Sequence, residues 1–328
     1  MVPTSRGEKE LYLGVWAHPG DFSDESAVDK LLNKLSEIGA NKLVVNVKDS
    51  SGRVYFKSNV GIMAEVIKHF DFLRYTTERA GEFGIEVHAW FVVFPEGIKE
   101  LKGFLERHPG YACIEEGGKR IGWMCPSHEE VHDYLLTLFR EVIENYNIDG
   151  IHLDYIRYPE PIVYKACFCN NCGLGGYMDE KWILHGSEYI KSFVEKSYKL
   201  TREYGIEHSA AVFPDYPTCI ITVRQDWVEW INRGLLDWVA PMTYTNITKI
   251  VEEFTKIHSS LVLDRALLLE GLGKRSSKSR LSPGDLLNQI HKALLNGADG
   301  VMIFSYSGME DQDFRAISRF MRSLRGIQ

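Results

Sequence analysis

Val28-Asp29-Lys30-Leu31-Leu32-Asn33-Lys34-Leu35-Ser36-Glu37-Ile38-Gly39-Ala40-Asn41-Lys42-Leu43-Val44-Val45-Asn46-Val47-Lys48 holds the unit from which the fold is read. Leu31, Leu32, Leu35 and Ile38 fall at i, i+1, i+4 and i+7, one face of a helix. Gly39 follows where a left-handed residue caps a helix, and Lys42–Lys48 then reads as a β-branched strand. The same helix–glycine–strand punctuation returns at Glu82-Phe83-Gly84-Ile85, Glu203-Tyr204-Gly205-Ile206 and Leu295-Asn296-Gly297-Ala298.

Outward from this unit, strands are expected over 11–18, 42–48, 86–94, 150–155, 207–213, 237–244, 266–272 and 300–305. Helical patterns lie between them, around 63–83, 97–107, 129–146, 186–204, 223–234, 248–261, 284–296 and 311–324. Strands alternating with helices imply right-handed βαβ units on a parallel sheet, and eight units close into a (β/α)8 TIM barrel. An open doubly wound sheet is the alternative, and no Gly-x-Gly-x-x-Gly follows the first strand to favour it. With 328 residues, 45% of them hydrophobic, the chain can bury one large core, and no Pro/Gly/Ser-rich linker divides it. One barrel domain over 1–328 is therefore expected. Two connections are long: 108–126, which reads as a β-hairpin turning at Gly117-Gly118, and 156–185, a cysteine-rich loop. Both follow strands and so belong to the C-terminal face, where barrel enzymes carry their sites.

The formal charge of -7 argues against a nucleic-acid partner. No window reaches the ~18 apolar residues of a membrane span, and Met1–Glu10 lacks the apolar core of a signal peptide. The cytoplasm is the default expectation, although a removed secretion signal would leave the same residues. Oligomeric state is not readable.

In a barrel, polar residues on the inward set near strand C-termini are candidates for chemistry. Strand four, Gly150-Ile151-His152-Leu153-Asp154-Tyr155, places His152 and Asp154 on one face, with Ile151, Leu153 and Tyr155 toward the helices. Strand seven carries Glu270 in an apolar run. Strand two offers Asn46 and Lys48 on one face, with Lys48 placed to hold a carboxylate ionised. Strand five ends at Asp215, a third carboxylate. His18, Trp90, Tyr244 and, beyond strand eight, Tyr306 complete the expected substrate-binding set. For each of the aromatic and histidine residues, core packing is the competing reading. Carboxylates with aromatic walls and no phosphate loop suit glycoside hydrolysis, in which one acid protonates the leaving oxygen while an ionised partner attacks or activates water. Asp154 and Glu270 are the expected catalytic pair, facing each other across the mouth, with Asp215 in reserve. The substrate is then a poly- or oligosaccharide, and catalysis requires no cofactor. The competing readings are a saccharide-binding barrel without activity, and a metal-dependent hydrolase built on His18, His88, His152 and Asp154.

Asn46-Val47-Lys48-Asp49-Ser50-Ser51-Gly52-Arg53-Val54-Tyr55 and Asp149-Gly150-Ile151-His152-Leu153-Asp154-Tyr155-Ile156-Arg157-Tyr158-Pro159 resemble signature stretches of the glycosyl-hydrolase-like TIM-barrel families of bacteria and archaea. Trp123-Met124-Cys125-Pro126-Ser127, followed by Glu130-Val131-His132-Asp133-Tyr134-Leu135, is similar to their post-hairpin helix start. The resemblance covers strands one to six. It implies a barrel hydrolase acting on polysaccharides, with Asp154 as the leading catalytic residue and a lean toward Asp154 as nucleophile. A weaker similarity points to chitinase-like barrels, whose strand-four motif Asp-Gly-x-Asp-x-Asp-x-Glu aligns with Asp149 to Ile156. Here His152 replaces the second Asp and Ile156 the terminal Glu, so that family's acid is missing.

Cys167-Phe168-Cys169-Asn170-Asn171-Cys172-Gly173 packs three thiols into six residues. A Cys-x-x-Cys knuckle followed by Gly favours a tetrahedral zinc thiolate site, with Cys125 ahead of Cys113 as fourth ligand. Free thiols or a disulfide are the alternatives. Four thiolates would leave no open position for catalysis, so such a zinc is structural.

Overall fold

All eight expected strands form in the computed structural model, which describes residues 11–172 and 178–324. They are β1 (Tyr12–Ala17), β2 (Lys42–Lys48), β3 (Glu86–Val92), β4 (Gly150–Asp154), β5 (Glu207–Val212), β6 (Trp238–Pro241), β7 (Leu267–Gly273) and β8 (Gly300–Phe304). Each pairs in parallel with its sequence neighbours, and β1 pairs with both β8 and β2, so the sheet closes on itself. The outer ring comprises α1 (Glu25–Glu37), α2 (Phe72–Ala80), α3 (Glu129–Asn145), α4 (Glu180–Tyr204), α5 (Trp227–Asn232), α6 (Thr248–Val262), α7 (Pro283–Leu295) and α8 (Asp311–Leu324).

The strands are buried on both faces, as parallel strands beneath helices must be. Their outward side chains join the α-helical faces in one large core, while a separate inner cluster fills the barrel around Trp16, Trp90, Trp238, Leu269 and Met302. At the N-terminal end the interior is closed by Lys42, whose ammonium pairs with Glu86 and, at 2.9 Å, with Glu207. A cation already serves those carboxylates. In the middle layer His152 stacks on Trp238 with ring centroids 4.8 Å apart. The barrel is thus solid up to its C-terminal mouth.

The connection after β3 departs from expectation in part. The helix predicted over 97–107 reduces to Phe104–Arg107, and Pro95–Ile98 is a strand instead. The predicted hairpin does form, from Ala112–Ile114 and Arg120–Met124, and it takes Pro95–Ile98 as a third strand to make a small antiparallel flap sheet. Gly118 sits in its turn with φ +84°. Beneath the flap, Glu96 is fully buried and pairs with Lys48 at 2.9 Å. Gly52 (φ +79°) and Gly103 (φ +60°) press against that carboxylate so closely that a Cβ on either would fall within 1.8 Å of Glu96 Oε2.

Candidate active site

Asp154 ends β4 on its inward side and is 6% exposed. Trp90, one strand away on β3, donates its Nε1–H to Asp154 Oδ2 at 3.1 Å, and the Tyr155 backbone N–H donates to Oδ1 at 2.7 Å. Burial pushes the Asp154 carboxyl up to about 6, against those two donors and the nearby Arg157. Desolvation therefore outweighs the hydrogen bonds, and the group changes charge close to neutral pH.

Above Asp154 opens a cavity of roughly 410 Å³, walled by His18, Trp90, Tyr244 and Phe304 and rimmed by Ser276 and Ser277. A second cavity of roughly 480 Å³ adjoins it, reaching Asp215, Arg157, Phe213 and the loop tip at Pro161 and Ile162. Both share Tyr155, Met242, Tyr244 and Ser277, so they form one cleft across the barrel mouth. Each volume lies in the range of small-ligand sites, about 300–1,000 Å³. Tyr155 takes φ +52°, an uncommon conformation for a bulky residue, and this breaks the strand alternation. It therefore lines the cleft, not the helical layer expected of it. Asp215 Oδ1 is buried without a hydrogen-bond partner. Asp49, also at the cleft wall, is a turn residue whose oxygens accept from Ser51, Arg53 and Tyr55.

The cleft thus brings together Asp154, Asp215, His18, Trp90 and Tyr244 of the expected set. Glu270 is not among them. Leu269 points into the barrel, so Glu270 points outward, where Oε1 accepts from Thr243 and Oε2 contacts His258 Nδ1 of α6 at 2.9 Å, with both side chains of the pair fully buried. The pair expected across the mouth does not form. Lys48 is also displaced: the β2–β3 register shifts between Asn46 and Lys48, and the ammonium donates to the Val92, Val93 and Pro95 carbonyls beside Glu96. It braces the flap and tunes no cleft carboxylate. His152 lies below the floor, accepting from Trp16 Nε1–H at 3.2 Å and bonded through Nδ1 to Ser209 at 2.9 Å; burial and the neighbouring histidines hold it well below its usual range. Tyr306 packs on Phe314 outside the cleft. His88 sits near Glu86 and Glu207 at the closed end, so the metal-hydrolase set does not converge.

Cys125, Cys167, Cys169 and Cys172 do converge, with all four sulfurs within 4.8 Å of one another. Cys125 Sγ is 3.7 Å from Cys169 Sγ and 3.5 Å from Cys172 Sγ. Gly173, the last residue of the expected knuckle, lies outside the described residues. Sequence reading missed Tyr155, Arg157 and Phe304 as cleft walls. Arg157 is stacked over Phe213 at 4.5 Å and Tyr155 at 4.7 Å, a cage visible only once the loops are folded.

Among curated proteins, the chain is 22% identical over 249 residues to Glycosyl hydrolase YngK of Bacillus subtilis, matching 66% of this chain and 48% of that protein. It is 22% identical over 260 residues to Glycosyl hydrolase DigH of Escherichia coli, matching 67% and 58%. The chain thus spans about half the length of these relatives. Among solved structures, an α-L-fucosidase isoenzyme 2 from Paenibacillus thiaminolyticus aligns over 96% of this chain and 49% of its own, with TM-score 0.71 and 16% identity. The catalytic domain of a β-amylase from Paenibacillus polymyxa aligns over 96% and 99%, with TM-score 0.65 and 11% identity. At these identities the likeness concerns the fold. The model of the family Glycosyl hydrolase-like 10 matches residues 13–275, most of the barrel and both long loops, and the chain belongs to that family.

Proposed function

We propose that this barrel cleaves glycosidic bonds, with Asp154 and Asp215 as its working carboxylates. The observation that carries the reading is Asp154 itself: a buried carboxyl, raised to about 6, at the floor of an aromatic-walled cleft on the C-terminal face. Both of its oxygens accept N–H donors, so the site is built to orient the anion. Asp154 then acts ionised, as nucleophile or as the base that activates water. Asp215, which faces the outer cavity, supplies the proton to the leaving oxygen. Flat rings at Trp90, Tyr244 and Tyr155 suit the faces of pyranose rings.

The test is turnover of a panel of poly- and oligosaccharides by wild type and Asp154→Asn, with circular dichroism to check folding. Wild type is expected to release reducing ends from at least one glycan, and Asp154→Asn to lose that activity by about two orders of magnitude or more. Binding of a glycan by calorimetry without turnover would select the saccharide-binding reading, which the Ile156 substitution motivates. A folded Asp154→Asn variant with most of the activity would overturn the assignment.

A further inference from the structure

The four cysteines lie outside the cleft, and no step of the proposed reaction uses them. They come from two segments distant in sequence: Cys125 follows the flap strand Arg120–Met124, while Cys167, Cys169 and Cys172 sit on the β4–α4 loop. A zinc ion bound tetrahedrally by thiolates at ~2.3 Å requires sulfur–sulfur edges of about 3.8 Å, whereas a disulfide requires ~2.05 Å. The 3.5 and 3.7 Å separations match the tetrahedron, all four sulfurs lie within 4.8 Å of one another, and none of the four is disulfide-bonded. Donors surround the sulfurs as they do metal thiolates. Ile114 N–H and Cys169 N–H reach Cys167 Sγ at 3.3 and 3.4 Å, the Ser127 hydroxyl lies 3.1 Å from Cys125 Sγ, and the Tyr158 hydroxyl lies 3.5 Å from Cys172 Sγ. Cys113 is equally buried and adjoins Cys125 and Cys167, yet it stands outside the four-sulfur group.

We propose that Cys125, Cys167, Cys169 and Cys172 bind one structural zinc ion that staples the β4–α4 loop to the flap. Binding replaces four S–H protons, released to solvent, with one Zn²⁺, leaving a site of net charge −2 whose excess the surrounding N–H and O–H donors share. The staple has a functional position. The loop it anchors also carries Pro161 and Ile162, the latter 92% exposed, to the outer wall of the cleft. Elsewhere loop and flap are joined by backbone bonds from Glu116 N–H to Lys165 and from Phe168 N–H to Ile114, by the Lys165–Glu116 ion pair and by the Trp123 Nε1–H bond to the Arg157 carbonyl. The metal therefore sets the shape of the outer cavity and takes no part in bond cleavage.

Elemental analysis of the full chain, purified without added metal, is expected to give about one zinc per chain. Chelation under mild denaturant should release that zinc and raise the count of thiols reactive to a colorimetric reagent by four. Cys172→Ser is expected to lower zinc content at least tenfold, and Cys113→Ser to leave it unchanged. Should Cys172→Ser fail to fold, the wild-type zinc and thiol counts decide alone. None of these readouts depends on an activity, so they stand apart from the assignment of Asp154. Metal-free protein overturns the proposal, whether its mass is two hydrogens lighter for a disulfide or its four thiols react freely. So does iron in place of zinc, full zinc retention in folded Cys172→Ser, or zinc loss in Cys113→Ser.

Discussion

Asp154 and Glu270 are both acids buried in apolar strands, and their environments give them opposite duties. The Asp154 carboxyl titrates at about 6 when folded against an ordinary 3.8. In the proposed reaction it works as the anion, so kcat/KM should rise with pH through about 6, a limb that a pH–rate profile will show and Asp154→Asn will abolish with the activity. The same shift bears on stability. A carboxyl raised on folding favours the native state while protonated. That contribution is complete below pH ~4 and is lost as pH rises through about 6, about 3 kcal/mol in all and about 2 kcal/mol of it between pH 4.5 and 7. Urea titrations at both pH values should show wild type losing that much relative to Asp154→Asn. At Glu270 the expected outcome is reversed: Glu270→Ala leaves His258 buried without its partner and should cost ~3–5 kcal/mol, while folded Glu270→Gln keeps most of the activity. Asp154 was legible because its strand ends in polar residues and its motif resembles a family signature. The facing of Glu270 was not, since Leu267-Leu268-Leu269-Glu270-Gly271-Leu272 is apolar on both faces and hydrophobicity then carries no parity. A usable signal lay in α6, where His258 shares the buried face with Val251, Thr255 and Val262, and such a histidine needs a polar partner among the elements it packs on, here Glu270.

At the scale of elements, helices and strands declared themselves through periodicity and glycine caps, and the β3–α3 connection did so only in part. Its hairpin carried a Gly-Gly turn, a local signal. The strand Pro95–Ile98 carried none, because Pro and Gly are poor strand residues and its ladder partner, Arg120–Met124, lies far along the chain. Lys48 illustrates the same limit: a register shift in β2 moved it from the expected cleft to the flap, and bulges leave no mark in alternation. The Lys48–Glu96 pair is consequently a prediction for element stability. Both side chains are fully buried, so Lys48→Met strands the Glu96 carboxylate and should cost ~3–5 kcal/mol by urea denaturation. Gly103→Ala should destabilise the flap as well, since its Cβ would overlap that carboxylate and its φ of +60° resists any side chain.

For the whole molecule, the number of βα units sufficed to announce closure, and the strand order confirms it. The cleft could not be read in that way, because its walls come from loops whose packing no period encodes. Its two joined cavities predict a length preference under the proposed function. Oligosaccharides long enough to fill both should show kcat/KM about tenfold or more above a disaccharide, ~1.4 kcal/mol of added transition-state binding. Tyr244→Ala, which removes a wall common to both cavities, should flatten that dependence. Closure has another result. The closed ring of eight strands has no terminal strand on which a foreign chain can grow, whereas the flap sheet does, and one margin of it, at Ala112–Ile114, lies under the cysteine loop through the Phe168–Ile114 bond and the Glu115–Ala166 bridge. The loop is therefore a guard against self-templating: a chain freed of it exposes an unpaired β margin, and light scattering should register that as concentration-dependent growth of assemblies while the barrel beneath keeps its circular dichroism.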